Sequence, residues 1–104
     1  MAISRIAVVS TDGKTVNNHF GRAETFLIYD LDDKLTFVTE RPTEKYSVED
    51  STHSFDAEKF GRVSALLKDC SKIYVTRIGE VPAAKLKELG IEPVVYEDPI
   101  TNIV

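Results

Sequence analysis

With 104 residues, 42% of them hydrophobic, the chain has the size of one domain around one core, so residues 1–104 read as a single domain. A balance of 13 basic against 17 acidic residues, formally -4, argues against the broad positive footprint that nucleic acid requires. No apolar run approaches the ~20 residues of a bilayer span and none follows Met1-Ala2-Ile3-Ser4-Arg5, so a cytoplasmic protein without membrane contact is expected.

In chain order, Ile6-Ala7-Val8-Val9, within Ile3 to Ser10, is a short, mostly β-branched run that predicts a central strand buried on both faces. Asp12-Gly13-Lys14 is turn chemistry, and the chain stays polar through Asn18 before Phe20 dips inward. Thr25 to Leu31 and Leu35 to Arg41 are strand-like runs separated by Asp32-Asp33-Lys34, which predicts a hairpin. In the first run Phe26 and Ile28 share one face and Leu27 and Tyr29 the other, so both faces are at least partly covered and helices must pack on the sheet.

Pro42 to Ser54 has no apolar periodicity and reads as a long loop whose composition favours disorder. Asp56 is the N-cap of a helix expected to run to about Asp69, with Phe60, Val63, Leu67 and Cys70 along its buried stripe. Lys72 to Thr76 is another strand, and Arg77-Ile78-Gly79-Glu80 leads into a helix that has Pro82 in its first turn. Ala83, Leu86 and Leu89 are its expected buried face, and Gly90 suits a left-handed C-terminal cap. Ile91 to Tyr96 closes the sheet, with Pro93 most comfortable at an edge. The order β-β-β-α-β-α-β predicts an α/β fold, a mixed sheet of about five strands with helices packed on it, in a ribonuclease H-like arrangement.

Chemistry concentrates in Asn17-Asn18-His19-Phe20-Gly21-Arg22. There an imidazole, a permissive glycine and a planar cation stand almost side by side. Residue types alone leave two readings open: a site for an anionic metal species, or a turn with a surface histidine in which Phe20 anchors the loop to the core. The lone Cys70 makes no internal disulfide and supplies neither a structural zinc site nor a four-thiolate cage, so any cluster must arrive ready-made.

His19-Phe20-Gly21-Arg22-Ala23, followed by Phe26-Leu27-Ile28-Tyr29-Asp30, resembles the signature of the dinitrogenase iron-molybdenum cofactor biosynthesis family. Arg41-Pro42, Lys45-Tyr46, Leu67-Lys68-Asp69-Cys70, Arg77-Ile78-Gly79, Ala84-Lys85-Leu86 and Leu89-Gly90-Ile91-Glu92-Pro93 continue that resemblance in the family's order. Ser47 departs from it, standing where many relatives carry cysteine. The resemblance implies the same fold and a non-enzymatic role in nitrogen fixation. An iron-sulfur or iron-molybdenum-sulfur cluster is then bound as cargo, and nitrogenase or cofactor-assembly proteins are the partners of a monomer or weak homodimer. It implies His19 as metal ligand, with Phe20, Gly21 and Arg22 beside it. Arg77 and Gly79, in the turn after a central strand, read as further contributors. His53 and Cys70 are the other candidate ligands, Cys70 reading first as a buried structural thiol. Two other classes stand beside this reading. One is a regulatory or interaction module of the same fold without metal. The other is a metal-dependent nuclease, which needs clustered carboxylates that the first strand lacks.

Overall fold

The computed structural model describes residues 3–43 and 57–103, with the backbone alone for Ala57. The expected long loop from residue 44 onward, Ser47, His53 and the Asp56 cap lie outside the described residues. Among the described residues seven principal elements follow one another: β1 (Ser4–Val9), β2 (Thr25–Leu31), β3 (Leu35–Pro42), α1 (Ala57–Ala65), β4 (Lys72–Val75), α2 (Glu80–Glu88) and β5 (Glu92–Val95). Short 3-10 turns occupy Phe20–Arg22 and Ile100–Asn102.

The strands form one mixed sheet in the order β3-β2-β1-β4-β5. β1 is antiparallel to β2 and parallel to β4, β2 and β3 form the hairpin, and β5 lies parallel to β4 at an edge. The run Ile6 to Val9 is fully buried, as its central place requires. Pro93 falls on the edge strand, where its missing N–H removes no bond between central strands.

One face of the sheet carries Ala7, Val9, Phe26, Ile28, Ile73 and Val75, packed against Phe60, Val63 and Leu67 of the α1 segment and Leu86 of α2. Both helices thus share this face. The other face, with Ile6, Val8 and Tyr74, is covered by Val16, Ile100 and Ile103 instead of a helix. Backbone bonds from Val16 N–H to the Asp98 carbonyl (3.3 Å) and from Ile100 N–H to the Lys14 carbonyl (2.8 Å) hold that cover together. Val16 is therefore core within a stretch that reads as polar.

Two helix expectations are corrected. α1 ends at Ala65 rather than near Asp69, because the chain tightens into 3-10-type bonds such as Leu67 N–H to the Ser64 carbonyl (2.9 Å), while the Leu66 carbonyl is taken by the Arg41 guanidinium at 2.7 Å. Leu89 is 58% exposed, because α2 stops one residue earlier and Gly90, with φ +82°, turns the chain so that Ile91 fills the core instead.

Candidate functional site

Two stretches meet at the carboxyl ends of β1 and β4. Leaving β1, the chain makes a self-satisfied turn in which Asp12 Oδ1 accepts the N–H groups of Lys14 (2.9 Å) and Thr15 (3.0 Å), which holds its carboxyl below the usual carboxylate range. Asn17 then staples the returning chain to the strand exit: its Oδ1 accepts Thr11 N–H at 2.8 Å and its Nδ2 donates to Thr11 Oγ1 at 2.9 Å. Asn18 does the same for the next turn, accepting His19 N–H at 2.9 Å and donating to the Arg22 carbonyl at 3.4 Å.

Phe20 drives this turn into the protein. Its ring is 1% exposed, with ring centroids 6.4 Å from Phe26 and 6.5 Å from Phe60. Arg22 N–H to the His19 carbonyl (3.1 Å) and Ala23 N–H to the Phe20 carbonyl (3.3 Å) close the 3-10 turn, which leaves Arg22 exposed at its end. Gly21 sits mid-turn without a positive φ, so backbone conformation does not demand glycine there.

The second stretch is Thr76 to Gly79, directly after β4. Thr76 N–H donates to the Asn18 carbonyl (3.0 Å) and Phe20 N–H to the Arg77 carbonyl (2.9 Å), so His19 and Arg77 form an isolated parallel bridge. Residues paired in this way direct their side chains to one side. With Phe20 turned into the core, the extended His19 keeps its imidazole half-buried at the surface, next to an exposed Arg77. Among the described residues the imidazole accepts and donates no hydrogen bond, and Arg77 forms no ion pair.

Gly79 is the N-cap of α2 and carries no side chain to bond it, so among the described residues the first N–H groups of that helix have no side-chain cap, although Glu80 places a carboxylate in the same turn. A Cβ on Gly79 would touch Pro82 at 3.5 Å, an ordinary contact, so space alone does not require glycine. Beside the loop, between the exit of β1 and the start of β2, lies a cavity of about 240 Å³ lined by Val9, Ser10, Thr11, Asn18, Ala23 and Glu24, with Thr25.

The comparisons bear on this geometry. The sequence matches the dinitrogenase iron-molybdenum cofactor family over residues 2–104. The chain belongs to that family. Among its relatives, the FeMo cofactor biosynthesis protein NifB of Klebsiella pneumoniae is 37% identical over 86% of this chain and 20% of its own length. NifB of Frankia alni is 35% identical over 95% of this chain and 20% of its own, and Protein NifX of Sinorhizobium fredii is 32% identical over 91% and 61%. The chain thus spans about a fifth of the NifB proteins it matches. In fold it resembles a protein named provisionally as a dinitrogenase from Methanocaldococcus jannaschii, with a TM-score of 0.55, 19% identity and coverage of 94% of this chain and 82% of that one.

Of the candidate site residues, His19, Phe20, Gly21, Arg22, Arg77 and Gly79 are gathered around the main-chain bridge between His19 and Arg77. Cys70 is not among them. It precedes β4 at the opposite end of the strand, is 5% exposed against Phe60, Val63 and Leu67, and its thiol is pushed up to about 12 by burial and then by the neighbouring Asp69 charge. Among the described residues, no three or more His, Cys, Asp or Glu side chains converge as a metal cage. Asn17 and Asn18 were legible only as turn residues. Their consecutive placement before a histidine is the one signal that could have marked them as the staples of the loop.

Proposed function

We propose that this domain binds a preassembled, anionic iron-sulfur cluster, with or without molybdenum, as cargo for storage or delivery in nitrogenase cofactor assembly. The observation that carries the reading is the bridge between His19 and Arg77, which sets an imidazole with no hydrogen bond among the described residues beside an exposed guanidinium. Bridging sulfides hold such a cluster together on their own, so the protein needs only one nitrogen for an open metal position and positive charge for the anionic periphery. His19 supplies the nitrogen, Arg22 and Arg77 the charge, and the open end of α2 a few backbone donors. Gly21 and Gly79 keep the backbone bare towards the cargo. Phe20 contributes by fixing the loop.

Sparse ligation suits a carrier. One imidazole and a few ionic contacts exchange readily, whereas several thiolates would hold the cluster too long to hand on, so the role is delivery and not catalysis. The partners on this reading are cofactor-assembly proteins or nitrogenase itself, in the cytoplasm; the NifB relatives are named for FeMo cofactor biosynthesis. The strand order, with β2 alone antiparallel to the rest, is what leads us to class the fold as ribonuclease H-like. Neither the metal-free module nor the nuclease is favoured by any feature among the described residues.

An anaerobic titration of cluster into wild type and His19→Ala tests the proposal, with apo-protein melting followed in parallel. Binding should collapse in the variant while melting barely moves, since the imidazole buries little apolar surface. Undiminished binding by His19→Ala removes His19 from the site, and no binding by wild type favours the metal-free module.

A further inference from the structure

Asn17 and Asn18 are adjacent, but they act on different parts of the loop. Asn17 reaches back: both ends of its amide bond to Thr11 at the exit of β1, so it fixes where the loop leaves the sheet. Asn18 reaches forward. Its Oδ1 accepts the N–H of His19 at 2.9 Å and its Nδ2 donates to the carbonyl of Arg22 at 3.4 Å, so one planar amide spans the turn from its N-cap to its last residue.

The turn that separates these two ends is a weak spacer by itself. Its closing bonds measure 3.1 and 3.3 Å, and short 3-10 turns have poorer hydrogen-bond geometry than an α-helix. Gly21 stands in its middle, where the backbone needs no positive φ, and adds conformational freedom. The Asn18 amide supplies a second link across the same span. Asn18 is half-buried and its carbonyl accepts Thr76 N–H at 3.0 Å, whereas Arg22 is exposed, so a residue held by the sheet sets the course of one at the surface.

Resting on the cluster-carrier reading above, we infer that Asn18 is a positioning residue. Its amide fixes the main chain of Arg22 relative to His19, so that a cargo meets the imidazole and the guanidinium at one set spacing. Phe20 sets the depth of the loop and Asn18 its span. Without the amide, His19 keeps its place, because Thr76 N–H and Phe20 N–H still bond to main-chain carbonyls. The Arg22 end is what loosens. The site then still ligates a metal but no longer selects well for an anionic periphery, which makes Asn18 a determinant of cargo charge.

Anaerobic titration with a synthetic thiolate-ligated iron-sulfur cubane, an anionic probe, tests this. The proteins are wild type, Asn18→Ala, Arg22→Ala, Arg77→Ala and the two double variants that contain Asn18→Ala. Asn18→Ala should weaken binding by about three- to tenfold. It should also flatten the dependence of affinity on salt, since the contact it loosens is ionic. Added to Arg22→Ala it should weaken binding by less than about twofold, whereas added to Arg77→Ala it should keep its full effect. Melting of the apo variants, followed in parallel, should stay close to wild type. Asn18→Ser, which retains an oxygen for the loop but cannot span it, should behave like the alanine variant and replaces it if that one melts early. A full effect of Asn18→Ala on top of Arg22→Ala, an unchanged salt dependence, or affinity equal to wild type would each overturn the positioning role and leave the carrier reading standing. A wild type that binds no cubane removes both.

Discussion

The two ends of β4 use the same residue types for opposite purposes. At the amino end, Arg5 grips Asp30 through two bonds (2.8 and 3.2 Å) and reaches Asp69 at 3.2 Å, while Arg41 clasps Asp69 through two more (2.7 and 2.8 Å). Each charge there is answered, both carboxyls are held below their usual range by the guanidiniums, and both guanidiniums are raised. At the carboxyl end Arg77 points to solvent beside His19 with no acidic partner among the described residues. The lesson is that an arginine in a sequence becomes a structural clasp or an open cation according to whether the topology brings a carboxylate to it. Here that depends on strand pairing between segments far apart in the chain.

Breaking each end separately sharpens the contrast. The largest effect should come from Phe20→Ala, which removes a fully buried ring from beneath the site. We expect a loss of ~3–5 kcal/mol in denaturant unfolding together with loss of cluster binding, and a stable variant would show that the loop does not depend on its anchor. Asp69→Asn should cost roughly 1 kcal/mol, since the network is partly exposed, and should leave cluster binding unchanged. It should also alter the acid limb of stability. The folded carboxyl titrates below its unfolded value, so its contribution is complete above about pH 4 and is lost as pH falls towards the folded value. Unfolding followed between neutral and strongly acid pH should therefore be less acid-sensitive in the Asn variant, and parallel profiles would remove Asp69 from this role.

Arg77→Ala belongs to the other end. Melting should stay within error while cluster affinity drops by up to about tenfold, and Arg77→Lys should recover only part of it, because the planar fork is lost. Equal affinity for the Lys variant would mean that net charge alone matters there. The smallest effect is expected at Cys70. Its alkylation in the native protein should be slow and indifferent to bound cluster, and rapid labelling that cluster blocks would make it a ligand after all.

Much of the fold was legible because it is written locally. Ile6 to Val9 marks the central strand, Asp32-Asp33-Lys34 the hairpin, Gly90 the left-handed cap and Pro93 the edge. What escaped depends on distant partners. α1 stops early where the chain tightens into 3-10-type bonds and an arginine from β3 takes the carbonyl of Leu66, just past the helix end, and Val16 is core because the Ile100 segment closes over it. Three residues of 3-10 helix carry no periodicity to read, so the cover of the second face was missed and helices were expected to be enough. At the candidate site, the residue types and the family signature pointed to His19 and Arg77. Their pairing as neighbours, and the two asparagines that brace it, required the parallel register of β1 and β4.

The bridge that joins His19 to Arg77 is made by main-chain atoms, and a backbone contact is indifferent to the side chains it carries. Substitutions at these two positions can therefore change what the surface attracts without rebuilding the surface itself. The loop works as a fixed socket with replaceable fittings. On the function proposed for this loop, a handful of point mutations would exchange one cargo for another, each leaving a folded protein on which the next can be tried.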